Sequence, residues 1–383
     1  MQIAKSLQQI QSSYIREILE AASNPNVISL AGGLPNDATF PMDIIKPAMA
    51  KLGEELAIFQ YGDTAGYGPL LDHLYTRYQL PANQKAMITT GSQQGLDLIA
   101  RAYIDPQDCV VMEAPSYLGA MQVFGLCQAN IVTVEQNKQG PDIEALEQCF
   151  ISNAPKLFYS VPDFHNPTGV CWSLATRKAV AALCEKYSVT LVEDAPYREL
   201  RFSGETLPMA SSFCPDHSIV LRSFSKIAAP GLRIGMVSGK ESLIQPLIKV
   251  KQGADLHSSV PMQALLLELL NNDSFAQCLE NNTALYRDRY NKMAEELEKH
   301  LPNGCELTQV EGGMFVWVKV PQCDTFALAK SLLAEGVAVV PSDVFYPPSA
   351  AKSSALRLNF TNCSPFDLDI AIQKIGQVLR TQC

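Results

Sequence analysis

The 383-residue chain is 47% hydrophobic and 18% charged, with a net charge of −9, and no long basic run of the kind nucleic acid requires appears in it. Its 11 cysteines are scattered without a Cys-x-x-Cys pair and its five histidines show no ligand spacing. This argues against a disulfide framework or a metal site and for reduced thiols in a cytosolic protein. No stretch of about 18 apolar residues predicts a membrane span.

In chain order, residues 1–19 alternate polar and apolar side chains as an amphipathic helix does, without the continuous apolar core of a signal peptide. Short β-branched runs then predict strands at 86–90, 109–113, 130–134, 156–160, 189–193, 218–222 and 235–238. Helical patterns at 93–103, 144–150 and 173–187 lie between them. This βαβ rhythm predicts an α/β fold with a mostly parallel sheet covered by helices. After residue 251 the rhythm changes: a long helical region from 261 to about 301, strands at 314–320, 337–340 and 356–360, and helices at 326–335 and 365–380. That reads as a second, smaller α+β domain, with the Gly32-Gly33-Leu34-Pro35 turn and the N-terminal helix packed on it.

The chemistry-bearing residues fall at predicted strand ends, where open α/β sheets bind ligands. Thr90-Gly91-Ser92-Gln93 joins a strand to a helix, either as a phosphate cradle of backbone N–H groups with the Ser92 hydroxyl or as a plain N-cap turn. Tyr117, after the next strand, is a ring stacker or a core aromatic. His165-Asn166-Pro167-Thr168-Gly169 is a tight turn that can aim the Asn166 amide at a ligand; His165 reads as packed or solvated. Asp194, in Glu193-Asp194-Ala195-Pro196-Tyr197, is a helix N-cap or a carboxylate for a ring nitrogen.

Arg222-Ser223-Phe224-Ser225-Lys226, followed by Pro230-Gly231-Leu232-Arg233, places one lysine beside two hydroxyls with an arginine seven residues on. A lysine amine holds an aldehyde as a Schiff base, and hydroxyls with a guanidinium suit a phosphate. A polar surface loop has the same letters. Arg357 stands in an otherwise apolar strand and needs an anion, either a substrate α-carboxylate or a salt-bridge partner. Taken together, phosphate turn, ring stacker, amide, acid, lysine and arginine point to pyridoxal phosphate (PLP), which is both aldehyde and phosphate.

On these motifs, from Ser29-Leu30-Ala31-Gly32-Gly33 to Leu356-Arg357-Leu358, the chain resembles the fold-type I PLP-dependent aminotransferases of class I and II. The branch of 2-aminoadipate and kynurenine aminotransferases is resembled most, through Tyr14-Ile15-Arg16-Glu17, Gly32-Gly33-Leu34-Pro35, Tyr197-Arg198-Glu199-Leu200 and Lys251-Gln252-Gly253-Ala254-Asp255-Leu256-His257. The resemblance implies a large domain at 46–283 with a seven-stranded sheet, a small α+β domain at 284–383, and residues 1–45 packing with the latter.

It also implies roles. Lys226 links to the cofactor aldehyde and then moves the Cα proton. Asp194 pairs with the pyridine nitrogen, Tyr117 stacks, and Asn166 with Tyr197 holds the phenolic oxygen. Ser92, the Gln93 backbone, Ser223, Ser225 and Arg233 take the phosphate. Tyr61 resembles a tyrosine that reaches the partner subunit's phosphate, which implies a homodimer. Arg357 takes the substrate α-carboxylate, with Gly33 and Asn166 beside it. Arg16 either meets a distal substrate carboxylate or is a solvated helix arginine.

Three positions depart from the family's usual pattern: Ser342 stands for glycine, His165 for glutamine and Ala195 for a second acid. Each bears on substrate range. The implied reaction is a ping-pong exchange between an L-amino acid and a 2-oxo acid, with 2-oxoglutarate and glutamate as one pair. A PLP-dependent lyase or decarboxylase on the same fold is the alternative. A PLP-binding transcription regulator is a more distant one, because the aminotransferase pattern starts within about 15 residues of Met1 and leaves no room for a basic winged helix.

Overall fold

The computed structural model describes residues 2–8, 18 and 24–382. Its strands are β1 (Ile28–Ser29), β2 (Gln84–Thr89), β3 (Cys109–Ala114), β4 (Asn130–Asn137), β5 (Gly140–Pro141), β6 (Leu157–Ser160), β7 (Thr190–Asp194), β8 (Ser218–Ser223), β9 (Gly235–Lys240), β10 (Glu306–Leu307), β11 (Phe315–Lys319), β12 (Val337–Ala338), β13 (Val340–Pro341) and β14 (Ala355–Asn359).

One sheet has the order β2-β9-β8-β7-β6-β3-β4-β5. Its centre, from β8 to β4, is parallel, and β9 runs against both β2 and β8. Val110, Val111, Leu191, Val192 and Ile219 are fully buried, as expected where helices cover both faces. All seven predicted strands of this sheet are present. The sheet has an eighth, β5, which corrects the expected count of seven. Two residues pairing antiparallel with β4 are too short to show a periodicity.

The helices between these strands start and stop on local signals. Ser173 accepts from the Thr176 N–H at the start of Leu174–Tyr187, and Asp142 accepts from the Ala145 N–H at the start of Ile143–Asn153. The helical region expected from 261 to 301 is two helices, Val260–Leu270 and Ser274–His300. The break falls at Asn271-Asn272-Asp273, where Asn272 accepts from the Ser274 N–H and competes with the helical ladder.

A second, antiparallel sheet has the order β10-β11-β14-β13, and β1 pairs with β12 in parallel. The single run expected at 337–340 therefore divides between two sheets. Ile18 is buried in a cluster with Ala31, Trp317 and Phe345. Of the expected N-terminal helix, the turn Lys5–Gln8 and helical Ile18 are described. Tyr14 and Arg16 lie outside the described residues.

The register sets the site. Because β2, β3, β6, β7 and β8 run the same way, Thr89, Ala114, Ser160, Asp194 and Ser223 end at one edge of the large sheet. Gly235, the first residue of β9, pairs with both Thr89 and Ser223. The turn after β2 and the turn after β8 are thus brought within two strand spacings, about 10 Å.

Candidate active site

At that edge opens a cavity of about 480 Å³. Its walls include Ser92, Gln93, Tyr117, Asn166, Asp194, Tyr197, Ser223, Ser225, Lys226, Arg233, Gly33 and Arg357. These are all the described residues expected at the site except Tyr61.

Asp194 ends β7 inside the protein. The Tyr159 hydroxyl donates to its Oδ2 at 2.9 Å, and its Oδ1 has no protein partner among the described residues. Burial raises its carboxyl from the ordinary range to about 7, against the lowering effect of Tyr159. A carboxylate so buried, with one oxygen free, is suited to a cationic N–H brought by a ligand.

Lys226 enters from the turn after β8, and its Nζ donates to the Gly33 carbonyl at 2.6 Å. Burial first, and then the charges of Arg357 and Arg233, lower its pKa to about 8. The amine is therefore far more often neutral than an exposed lysine at the same pH, which a nucleophile toward carbonyls requires.

The wall formed by the turns after β2 and β8 is built from glycine backbone. Gly91 has φ +75°, and a Cβ there would meet Arg233 Nη2 at 2.7 Å. A Cβ on Gly235 would meet the Gly91 carbonyl carbon at 2.6 Å. Both positions admit only glycine, since the two turns and the guanidinium pack around one small concavity. Arg233 donates to Ser225 Oγ at 3.3 Å, and the Ser225 N–H donates to Ser223 Oγ at 3.3 Å.

Tyr117 donates to the Gln93 side chain at 3.1 Å, and burial pushes its hydroxyl up to about 12, so it stays neutral. Asn166 bridges the site: its Nδ2 donates to Tyr197 at 3.4 Å, and its Oδ1 accepts from Arg357 at 2.9 Å. Arg357 also donates to the Ala31 carbonyl at 2.6 Å. Its guanidinium lies between the rings of Phe315, at 4.3 Å, and Phe345, at 5.1 Å. Burial lowers its pKa to about 10, and no carboxylate of the described residues pairs with it. The salt-bridge reading of Arg357 thus finds no partner, and the guanidinium remains available to an incoming anion.

Tyr159, Phe315 and Phe345 escaped the sequence reading. Tyr159 and Phe315 sit in apolar strands, where an aromatic looks like core. A polar aromatic one strand from Asp194 was the available signal for Tyr159. His165 is fully buried, 3.1 Å from Thr168 Oγ1 and 3.7 Å from Glu113, and burial lowers its pKa to about 3. It is a neutral packed histidine. Ser342 accepts from the Ala355 N–H at 3.1 Å beside β14, and buried Ala195 donates its N–H to Leu221. Tyr61 is 80% exposed and lies edge-on to His257, away from the cavity of its own chain.

The sequence model of aminotransferase class I and II matches residues 25–375. The chain belongs to this family. It is 34% identical to 2-aminoadipate transaminase of Thermus thermophilus, over 98% of this chain and 96% of that protein. It is equally identical to aromatic-amino-acid aminotransferase 1 of Thermococcus litoralis, over 97% of this chain and 93% of that one. The crystal structure of Pyrococcus horikoshii kynurenine aminotransferase in complex with PMP superposes with a TM-score of 0.95 at 34% identity, covering 99% of this chain and 97% of that one.

Aminotransferases of this family work with PLP and act on amino acids and 2-oxo acids. The residues present fit that cofactor. The free Oδ1 of buried Asp194 suits a protonated ring nitrogen, Lys226 is an amine of lowered pKa, and the Gly91/Gly235 concavity with Arg233 suits a phosphate. Among the described residues, no helix is long and apolar enough to cross a membrane.

Proposed function

We propose that this aminotransferase exchanges an amino group between glutamate and 2-oxoglutarate as one pair and 2-aminoadipate or an aromatic amino acid as the other. The observation that carries this is the arrangement of Lys226, Asp194 and a carboxylate-free Arg357 around one cavity. The second pair is the substrate class for which relatives at 34% identity are named.

PLP supplies an aldehyde that exchanges amines and a cationic ring that acidifies the substrate Cα–H. The protein's part is then assigned as follows. Asp194 keeps the ring nitrogen protonated. Asn166 and Tyr197 hold the phenolic oxygen, and Tyr117 covers the ring face. Ser92, the Gln93 N–H, Ser223, Ser225 and Arg233 hold the phosphate. Lys226 would hold the aldehyde when the cofactor is bound, and its Nζ would be the group that accepts and returns the substrate Cα proton. Arg357, fixed by Asn166, Ala31 and two rings, takes the α-carboxylate bidentately, with Gly33 beside it. Arg16 takes a distal carboxylate.

A donor screen in the first half-reaction tests this. Glutamate, 2-aminoadipate, kynurenine, phenylalanine, leucine and alanine are each mixed with the loaded enzyme, and the cofactor absorbance is followed. Arg357→Gln is expected to lose roughly 100-fold in kcat/KM with every donor, the scale of removing one partner of a buried charge pair. Arg16→Gln loses only on glutamate and 2-aminoadipate. Equal loss on phenylalanine overturns the role of Arg16, and no response to glutamate overturns the substrate pair.

We further assign the working form as a homodimer in which Tyr61 reaches the partner's phosphate. Support comes from the exposed run of Leu56 (84%), Phe59 (62%) and Tyr61 (80%), an apolar edge that an isolated chain leaves in water. Sedimentation equilibrium is expected to give twice the chain mass, and Phe59→Glu to give monomer with weakened PLP binding. A wild-type monomer of full activity ends that reading. The domain division at residues 45 and 283 is supported by the large sheet falling within 46–283, and limited proteolysis checks it. Free described cysteines suit a cytosolic protein, which cell fractionation checks.

A further inference from the structure

The segment Lys251-Gln252-Gly253-Ala254-Asp255-Leu256-His257 has no role in the assignments above, although its side chains reach the turn after β2. Lys251 is buried, with its side chain 0% exposed. Its Nζ donates to Gln94 Oε1 at 3.0 Å, to Asp255 Oδ1 at 2.8 Å and Oδ2 at 2.9 Å, and to Ser258 Oγ at 3.1 Å. Gln94 Oε1 also accepts the Thr90 N–H at 2.7 Å, and Gln94 Nε2 donates to Asp255 Oδ2 at 2.6 Å.

Thr90 is the N-cap of the helix Gly91–Tyr103. A threonine there ordinarily turns its hydroxyl inward to accept from an N–H of the first turn. Thr90 makes no such bond. Its Oγ1 instead lies 3.1 Å from Ser258 Oγ and 3.5 Å from Asp255 Oδ2, both partners of Lys251. The first N–H groups of a helix have no carbonyl partner of their own, so a cap withheld leaves them open to an external anion.

We propose that Lys251, clamped by Asp255, is a positioning residue for the cofactor phosphate. It acts through Gln94, Asp255 and Ser258 to hold the Thr90 hydroxyl away from the helix start. Removing the ammonium frees the clamp, and the Thr90 hydroxyl then caps Ser92 and Gln93 in competition with the phosphate. The proposal rests on the assignment of the 90–93 turn to the phosphate.

The test compares PLP with pyridoxal, which lacks the phosphate, by titrating the cofactor-free full-length protein and following absorbance. Wild type is expected to bind PLP far more tightly. Lys251→Met is expected to weaken PLP about tenfold, the scale of one cap and its hydrogen bonds, and to change pyridoxal by less than about twofold. Adding Thr90→Val, which has no hydroxyl to compete, restores most of the lost PLP affinity. If Lys251→Met does not fold, Asp255→Asn at the exposed rim loosens the same clamp and is expected to weaken PLP about threefold with pyridoxal unchanged.

Equal weakening of both ligands, an unchanged preference for PLP, or no recovery with Thr90→Val overturns the proposal. A wild type that binds PLP and pyridoxal equally overturns instead the phosphate assignment on which it rests.

Discussion

Lys226→Ala is expected to lose about 10⁴-fold or more of its turnover, because the role we propose makes one side chain both the amine that holds the cofactor and the base and acid at the substrate carbon. The geometry is compatible with both tasks. Nζ is tethered to the Gly33 carbonyl at 2.6 Å, in a cavity shared with Asp194 and Arg357. An exposed lysine at pH 8 is neutral in only about 0.3% of molecules. With its pKa lowered to about 8 by burial and two arginines, Lys226 is neutral in about half of them. The variant keeps the residues assigned to the phosphate and is expected still to take up PLP, with loss of the visible absorbance that depends on the lysine. Turnover near that of wild type, or an unchanged spectrum, refutes the assignment.

Asp194→Asn is expected to move activity and stability in opposite directions. Turnover falls about 10³-fold, the scale of removing one charge positioned against the developing charge of a reaction. The cofactor-free protein becomes more stable at high pH. The sign follows from the pKa, raised on folding from 3.8 to about 7 mainly by burial. Below the unfolded value the group is protonated in both states and carries no penalty. As pH rises from about 4 to 7 the folded protein must either keep a proton that the unfolded chain releases or bury a charge, and stability is lost. Above about pH 7 the whole penalty stands, with an upper bound on the order of 4 kcal/mol.

Asparagine carries no charge at any pH. Its cofactor-free protein is therefore expected to melt at a higher temperature than wild type at pH 8 and at the same temperature at pH 4. Thermal melts at the two pH values read this directly. A lower melting temperature at pH 8 together with retained turnover contradicts the role given to Asp194. Under the role proposed for Asp194 the penalty has a functional reading: the site lacks one cation, which a protonated ring nitrogen would supply.

The residues legible in the sequence were those at strand ends. A buried parallel strand is a run of apolar residues, so the polar residue that terminates it stands out, as Asp194 and Ser223 do; Asn166 stands out instead through its Asn-Pro-Thr-Gly turn. Tyr159 and Phe315 are hidden because they lie within apolar strands, and Phe345 because it follows the polar turn Ser342-Asp343; their contact is a hydroxyl on Asp194 or a ring face on Arg357, and neither leaves a mark along the chain. The motif around Lys251 is legible along the chain but the role proposed for it is not, because its partner Gln94 is 157 residues away and meets it only through the packing of two helices. The two-residue strand β5 had no period to read.

Local chemistry along the chain thus determined the α/β layering, the residue types able to hold an aldehyde, a phosphate and a carboxylate, and their order. The tertiary structure alone decided which of them share a cavity and in what protonation state. Register set Thr89, Gly235 and Ser223 side by side. Burial then moved Asp194 up and Lys226 down toward neutral pH. The reason is that a pKa and a binding geometry depend on what surrounds a group in space, and most of those surroundings come from residues distant in sequence.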